Sequence, residues 1–362
     1  EHILVMSKIN GMKFSKFYIK DIDLELEKWI GKSLRKEEAK EITDVDEVNF
    51  KSQFNSDIHK MITMKDEINL YLDLERMSAD TEGTISHKFA NEMMNKYPQI
   101  RVNNIYSKIG ELRLKKSPQE VEKIKKAIEI TKSGIEKLMT ECRSGMKEYE
   151  LEAYFDFNCK IKGATDLAFT TIAAAGKNAT TLHYVENNSK LKDGDLILFD
   201  LGAEYNCYNA DITRTFPISG KFTERQKEVY NSVLKVNEEI INLIKPGMKY
   251  KDINEKATDL IAEECIKLGL IKDKSEVRKY YYHSIGHSLG MDTHDIETPH
   301  RDIIFEPGVV FTVEPGIYIQ EEGIGIRIED DILVTNEGVI NLSSDIIKSV
   351  DDIENFMNKF TK

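Results

Sequence analysis

A pattern that occurs twice in the second part of the chain limits what it can fold into. Arg143-Ser144-Gly145-Met146-Lys147 and Lys245-Pro246-Gly247-Met248-Lys249, offset by 102 residues (Gly145 to Gly247), each close one amphipathic segment and open another. The first is preceded by a sharply marked helix start, in which Ser117 can cap, Pro118 fits the first helical position and Glu120 sits where a capping-box carboxylate belongs. Val121, Ile124, Ile128, Ile135 and Leu138 then recur at near-helical spacing, which predicts one buried face through about Met139. The second opens with Thr223 and Gln226 as a T-x-x-Q cap and predicts a helix to about Ile244. A chain that repeats helix, Gly-Met turn, helix and strands is expected to form two like α+β halves sharing one core.

Each half also carries a strand pair with carboxylates. In DLILFDLGAEYNCYNADITRTF, apolar runs flank a polar tip, and a hairpin centred on Tyr205-Asn206 would set Asp200 opposite Asp211. VVFTVEPGIYI and GIGIRIEDDILVT surround Gln320 to Gly323, and a hairpin centred on Glu321-Glu322 would set Glu314 opposite Glu329. Taken singly, such residues have ordinary explanations, since Asp is common near turns. Asp200, however, ends the buried-looking run Leu196-Ile197-Leu198-Phe199 with no turn signal of its own. Carboxylates packed that closely raise each other's pKa unless a cation holds them ionised. Four carboxylates and a neutral His287 balance two divalent cations and leave positions open for water and substrate. Oxygen-rich ligation with one imidazole suits Mn, Co, Fe or Zn.

His283 and His287 stand at i, i+4, the spacing of helical zinc motifs, but Gly286 and Gly290 disfavour a firm helix and no Glu follows His283. Arg327, two residues before Glu329, shares its strand face and could hold carboxylates or meet substrate. Tyr318 is either core packing or a hydrogen-bond donor, and a lone His183 or His294 would be unremarkable.

Taken together, the segments LHYVEN, DGDLILFDLGAEYNCYNADITRTFPISGKFT, HSIGHSLGMDTHD, EPGVVFTVEPGIYI and GIGIRIEDDILVT resemble the pita-bread metallopeptidases (M24), within them the bacterial aminopeptidase P (Xaa-Pro aminopeptidase) group. The likeness covers roughly residues 112 to 350, with a weaker one before. It implies Asp200, Asp211, His287, Glu314 and Glu329 as ligands of two metal ions, Mn2+ foremost, with Asp211 and Glu329 bridging. It also makes His183 and His283 pocket residues. The architecture implied is a duplicated α+β pita-bread catalytic domain, residues 113–362, behind a smaller α/β domain, residues 1–112. In that domain short strands such as Ile3-Leu4-Val5-Met6 and Ile68-Asn69-Leu70-Tyr71-Leu72 alternate with helical segments near 33–42 and 84–96, and Tyr106 to Ser117 reads as a linker. The family usually has more sequence upstream, so a first strand or helix is expected to precede Glu1.

The mechanism expected is hydrolysis of the N-terminal Xaa-Pro bond by a hydroxide bridging two cations. Glu314 shuttles the proton, while His294 and His283 stabilise the tetrahedral diolate or assist the leaving nitrogen. Prolidase, a dipeptidase of the same fold, is the alternative, and a non-catalytic protein-binding descendant a more distant one. A net charge of −12 without a dense basic block argues against a nucleic-acid partner, and no apolar run nears the roughly 20 residues that span a bilayer. Four widely spaced cysteines without a CxxC pair point to a reducing cytoplasm. The partners expected are peptides with proline second and further copies of the chain, as a dimer or tetramer.

Overall fold

The computed structural model describes residues 2–76, 78, 80–295 and 303–360, so Glu1, at the head of the first strand-like stretch, lies outside the described residues. The chain divides into two compact units, Glu1–Tyr106 and Ser107–Lys362. In the first, strands Ile3–Ile9 and Met12–Ile19 form a hairpin through Asn10 and Gly11, and Glu47–Phe50 adds to it in parallel. Strands Ile68–Leu72 and Ile100–Asn104 form a separate parallel pair. Helices Lys36–Thr43 and Ile85–Lys96 stand where charged helical segments were expected. Two small apolar clusters hold this unit, one around Ile19, Ala39 and Val48 and another around Ile62, Met93 and Ile100. The stretch expected as a linker is mostly helical, from Tyr106 to Leu114.

In the second unit, α1 (Pro118–Glu141) and α2 (Glu148–Ile161) are followed by β1 (Leu196–Leu201) and β2 (Ile212–Pro217). Next come α3 (Glu224–Leu243), α4 (Tyr250–Lys267), β3 (Val310–Val313), β4 (Gly316–Ile319), β5 (Ile324–Arg327) and β6 (Asp330–Val334). The Ser117 and Thr223 hydroxyls accept from the backbone N–H of Glu120 and Gln226, as the capping sequences require. Val121, Ile124, Ile128, Ile135 and Leu138 are all buried, each worth about 1.5–3 kcal/mol of transfer free energy.

The duplication is physical. Gly145 and Gly247 both take left-handed φ, +95° and +91°, and their N–H groups donate to Leu191 and Phe305 carbonyls at 2.9 and 2.8 Å. Leu191 and Phe305 donate back to Met146 and Met248 at 2.8 and 2.9 Å. The same turn therefore docks the same kind of segment in each half.

The two hairpins meet edge to edge. Glu329 N–H donates to the Thr213 carbonyl at 3.1 Å, and the Thr215 hydroxyl to the Arg327 carbonyl at 3.1 Å. Arg214, with 0% exposure, spends all five of its N–H donors at this seam. They reach the carbonyls of Thr213, Glu329, Ile346 and Ile347 and the Asp330 carboxylate. Asp330 also accepts from Ser343 and Lys348. Burial works to raise the Asp330 pKa, but Arg214 and Lys348 outweigh it and hold it at about 2. Its folded pKa lies below the ordinary value of about 3.9, so its stabilisation is present above pH ~4 and lost as pH falls toward ~2. Asp330→Asn should therefore cost about 3–5 kcal/mol at neutral pH. In urea melts, the gap to the unsubstituted protein should narrow between pH ~4 and ~2; a gap constant across that range would contradict this account.

Candidate metal centre

β1 pairs with β2 so that Asp200 faces Thr213, not Asp211. The expected centre at Tyr205-Asn206 is corrected to Asn206-Cys207, both of which have positive φ, 49° and 66°. Paired left-handed residues suit a two-residue turn whose twist matches the strands, and that preference sets the register. The shift moves the partner by two residues, which preserves the face. Asp211 thus lies diagonally from Asp200 on the same side. In the other half, β4–β5 and β3–β6 share the expected register, which, carried across the break between them, sets Glu314 against Glu329.

His287 comes from a segment without helix that runs along β3, with Thr312 N–H donating to the His287 carbonyl and Glu314 N–H to that of Ile285. Gly286 makes this approach feasible: a Cβ there would stand 2.0 Å from the Thr312 carbonyl oxygen. The ring then lies with Nε2 3.4 Å from Asp211 Oδ2 and 3.7 Å from Glu314 Oε1. Asp211, His287 and Glu329 each offer a ligand atom within 4.8 Å of the others'. Glu314 and Asp200 flank this trio, and each adds its charge to the field felt by Asp211 and Glu329.

Burial, then repulsion from neighbouring acids, Asp200 foremost for Asp211 and Asp211 foremost for Glu329, drives the carboxyl pKa values of Asp211 and Glu329 well above the ordinary range. Burial raises that of Glu314 as well, against the pull of His287 and Arg327. Asp200 Oδ1 is buried with no hydrogen-bond partner among the described residues. Both observations fit a site built for cations: acids crowded beyond what solvent could tolerate, and an oxygen with nothing to bind.

A chain of hydrogen bonds supports the acids. Arg327 donates to Asp200 Oδ2 at 2.6 Å, to the Thr213 hydroxyl at 3.0 Å and to the Tyr318 oxygen at 3.1 Å. Thr213 donates to Glu329 Oε2 at 2.7 Å. His283 Nδ1 lies 2.7 Å from the Ser284 carbonyl and must donate to it, so its Nε2, 2.8 Å from Tyr318 Oη, accepts the Tyr318 proton. Burial, then the Arg327 charge, lowers the His283 pKa to about 3, which keeps the ring neutral. His294 is exposed at the residue level, yet its ring packs with its centroid 4.0 Å from that of His287, and this partial burial, then the neighbouring imidazoles, lowers its pKa to about 4. His183 is exposed and close enough to His283 and His294 to disfavour charge on both.

Thr213 and Asp331 escaped the sequence reading. Asp331 accepts the Asp211 N–H at 3.2 Å, and burial drives its pKa well up. Each stands two residues after an expected ligand, just inside the strand that the ligand precedes, so the two-residue period of extended chain was a usable signal.

Raised carboxyl pKa values mean that the folded metal-free protein binds more protons than the unfolded chain, so its stability falls as pH rises from ~4. Chelator-treated protein should lose thermal stability from pH 5 to pH 8, whereas excess Mn2+ should raise Tm and release protons into weak buffer. A Tm indifferent to divalent ions would contradict this.

Comparison with known proteins agrees with the geometry. The sequence profile of metallopeptidase family M24 matches residues 122–336, and that of the aminopeptidase P N-terminal domain residues 1–71. The chain is 35% identical to Xaa-Pro aminopeptidase of Escherichia coli over 92% of its own length and 80% of that protein's. A structure assigned to aminopeptidase P of Bacillus anthracis matches with a TM-score of 0.97 and 44% identity, over 99% of this chain and 85% of that one. The E. coli aminopeptidase P complex with the inhibitor Pro-Leu matches with a TM-score of 0.90 and 34% identity, over 99% and 86%. Architecture, sequence and the cluster of acids agree: the chain belongs to metallopeptidase family M24 and, within it, to the aminopeptidase P group of α+β enzymes.

Proposed function

We propose that this metallopeptidase uses two divalent cations, Mn2+ foremost and Co2+, Zn2+ or Fe2+ as alternatives, to remove the N-terminal residue from peptides with proline second. The observation that carries the proposal is the convergence of Asp211, His287 and Glu329 with Glu314 and Asp200 beside them. Asp211 and Glu329, 4% and 2% exposed and each among the other acids, would hold the cations together with His287, Glu314 and Asp200. Cations held there supply acidification of a water and polarisation of the scissile carbonyl.

The chain's own residues do the rest. Glu314, with its proton affinity raised by burial, accepts the proton of the attacking water and passes it to the leaving nitrogen. His294, neutral at pH 7, supplies an N–H to the developing diolate. Both polar atoms of His283 are engaged by Ser284 and Tyr318, so it acts as an oriented wall of the pocket, opposite His183. Arg327 holds Asp200 by one oxygen and leaves the other without a protein partner, available to receive the substrate amino group. A tertiary amide before proline has no N–H, so a pocket with the neutral His283 ring and aromatic walls such as Tyr282 and Tyr318 accepts the pyrrolidine without an unpaired donor.

The relatives named Xaa-Pro aminopeptidase support this substrate class, and a zinc-substituted E. coli relative in complex with product supports a metal-dependent site. No helix among the described residues is long and apolar enough to cross a membrane. The free cysteines support a cytoplasmic location, and the exposed Leu4, Met6, Met12 and Trp29 support assembly into a homo-oligomer. A unit boundary for catalysis near residue 112 also belongs to the proposal.

With Mn2+ present, cleavage of Xaa-Pro-Yaa peptides should exceed that of Xaa-Pro dipeptides; a marked dipeptide preference would replace the reading with prolidase. Glu329→Ala and Asp211→Asn should each lower kcat by at least about 10³-fold, as expected when a ligand at the reacting centre is removed. Retained turnover in either variant would sink the ligand assignment.

A further inference from the structure

Asp295, the residue after His294, is held in a buried ion cluster that the proposed mechanism leaves unused. Its side chain is 2% exposed, and the Lys116 ammonium, 1% exposed, donates to Asp295 Oδ2 at 2.9 Å. Arg113 donates to Asp295 Oδ1 and, at 2.8 Å, to the exposed Asp292. Both cations come from the segment just before α1, far from the histidines in sequence. The loop Ser288–Asp295 is folded tightly over this pair: a Cβ on Gly290 would lie 2.4 Å from Asp295 Oδ2 and 2.8 Å from Lys116 Cε. The loop also closes on itself, with Asp295 N–H donating to the Ser288 carbonyl at 3.0 Å and the Ser288 hydroxyl to that of Asp295 at 3.1 Å. Among the described residues the loop is also anchored by neutral hydrogen bonds: Leu289 to Val310, Asn209 to Gly290 and Met291, and Thr293 to Ala168. His287 begins the loop and His294 nearly ends it, so the loop's shape sets the 4.0 Å separation of the two rings.

A buried ion pair is a poor stabiliser, because desolvation cancels most of the Coulomb attraction, and an apolar pair of similar volume would serve as well or better. What such a pair does supply is one geometry. We propose that Lys116 and Arg113 are positioning residues for catalysis: by fixing the Asp295 carboxylate they fix the loop that presents His294 beside His287. The proposal rests on the reading of His294 as a contributor to Xaa-Pro hydrolysis. A misplacement of about 1 Å at a reacting group is enough to cost roughly 100-fold in rate.

A double-mutant cycle on the Mn2+-loaded enzyme tests it, with Lys116→Met and His294→Ala singly and together. The expected result is that Lys116→Met lowers kcat by about 10-fold or more with KM and metal stoichiometry unchanged. The double variant should then be no slower than His294→Ala alone. Additive losses would overturn the proposal, as would full kcat in folded Lys116→Met protein. Unchanged kcat in His294→Ala alone would instead remove the role of His294, and the proposal with it. Should Lys116→Met fail to fold, the isosteric, uncharged Asp295→Asn runs through the same cycle with the same outcomes.

Discussion

Everything at the metal centre depends on two hairpins from opposite halves of a duplicated chain meeting along one seam. Backbone hydrogen bonds alone would leave that seam a short edge contact. Arg214 converts it into a fixed joint because a buried guanidinium must satisfy every donor, and here the five donors tie together three segments, at Thr213, Glu329-Asp330 and Ile346-Ile347. With the Thr213 and Glu329 carbonyls held by the same NH1 group, the side chains next to them converge from both hairpins.

That joint gathers acids where no solvent can separate them. Two kinds of acidic side chain result. Asp330 faces cations of the protein itself, Arg214 and Lys348, and is held ionised. Asp211, Glu314 and Glu329 outnumber the protein cations that reach them, and burial pushes them toward the neutral form. Glu329 and Asp330 are adjacent in sequence and opposite in electrostatic state, because strand alternation turns one toward the centre and the other toward Arg214. The excess of acid on one side is what makes an external cation part of the structure.

The imidazoles divide in a similar way. His283 is built into the wall by two hydrogen bonds, whereas His294 and His183 stand exposed at the mouth. All face a site whose fixed positive charge, Arg327, is already committed to Asp200, Thr213 and Tyr318.

The sequence by itself determined the two long capped helices of the second unit and the repeated Gly-Met turns, because these follow from local periods and capping chemistry, whereas the candidate ligands rest on the resemblance of whole segments and the helix Tyr106–Leu114 stands where a linker is expected. It also determined the register of the second hairpin, whose polar tip lies midway between its apolar runs. It misplaced the first hairpin by two partner residues, since the turn formed at Asn206-Cys207, where both residues take left-handed φ, and not at the midpoint of the flanking runs. Only the tertiary structure decided that Arg214, Thr213 and Asp331 lie at the seam, that Tyr318 serves His283, and that Lys116 meets Asp295 across 179 residues. Those contacts join residues far apart in the chain, and no local pattern records which charge will be buried against which.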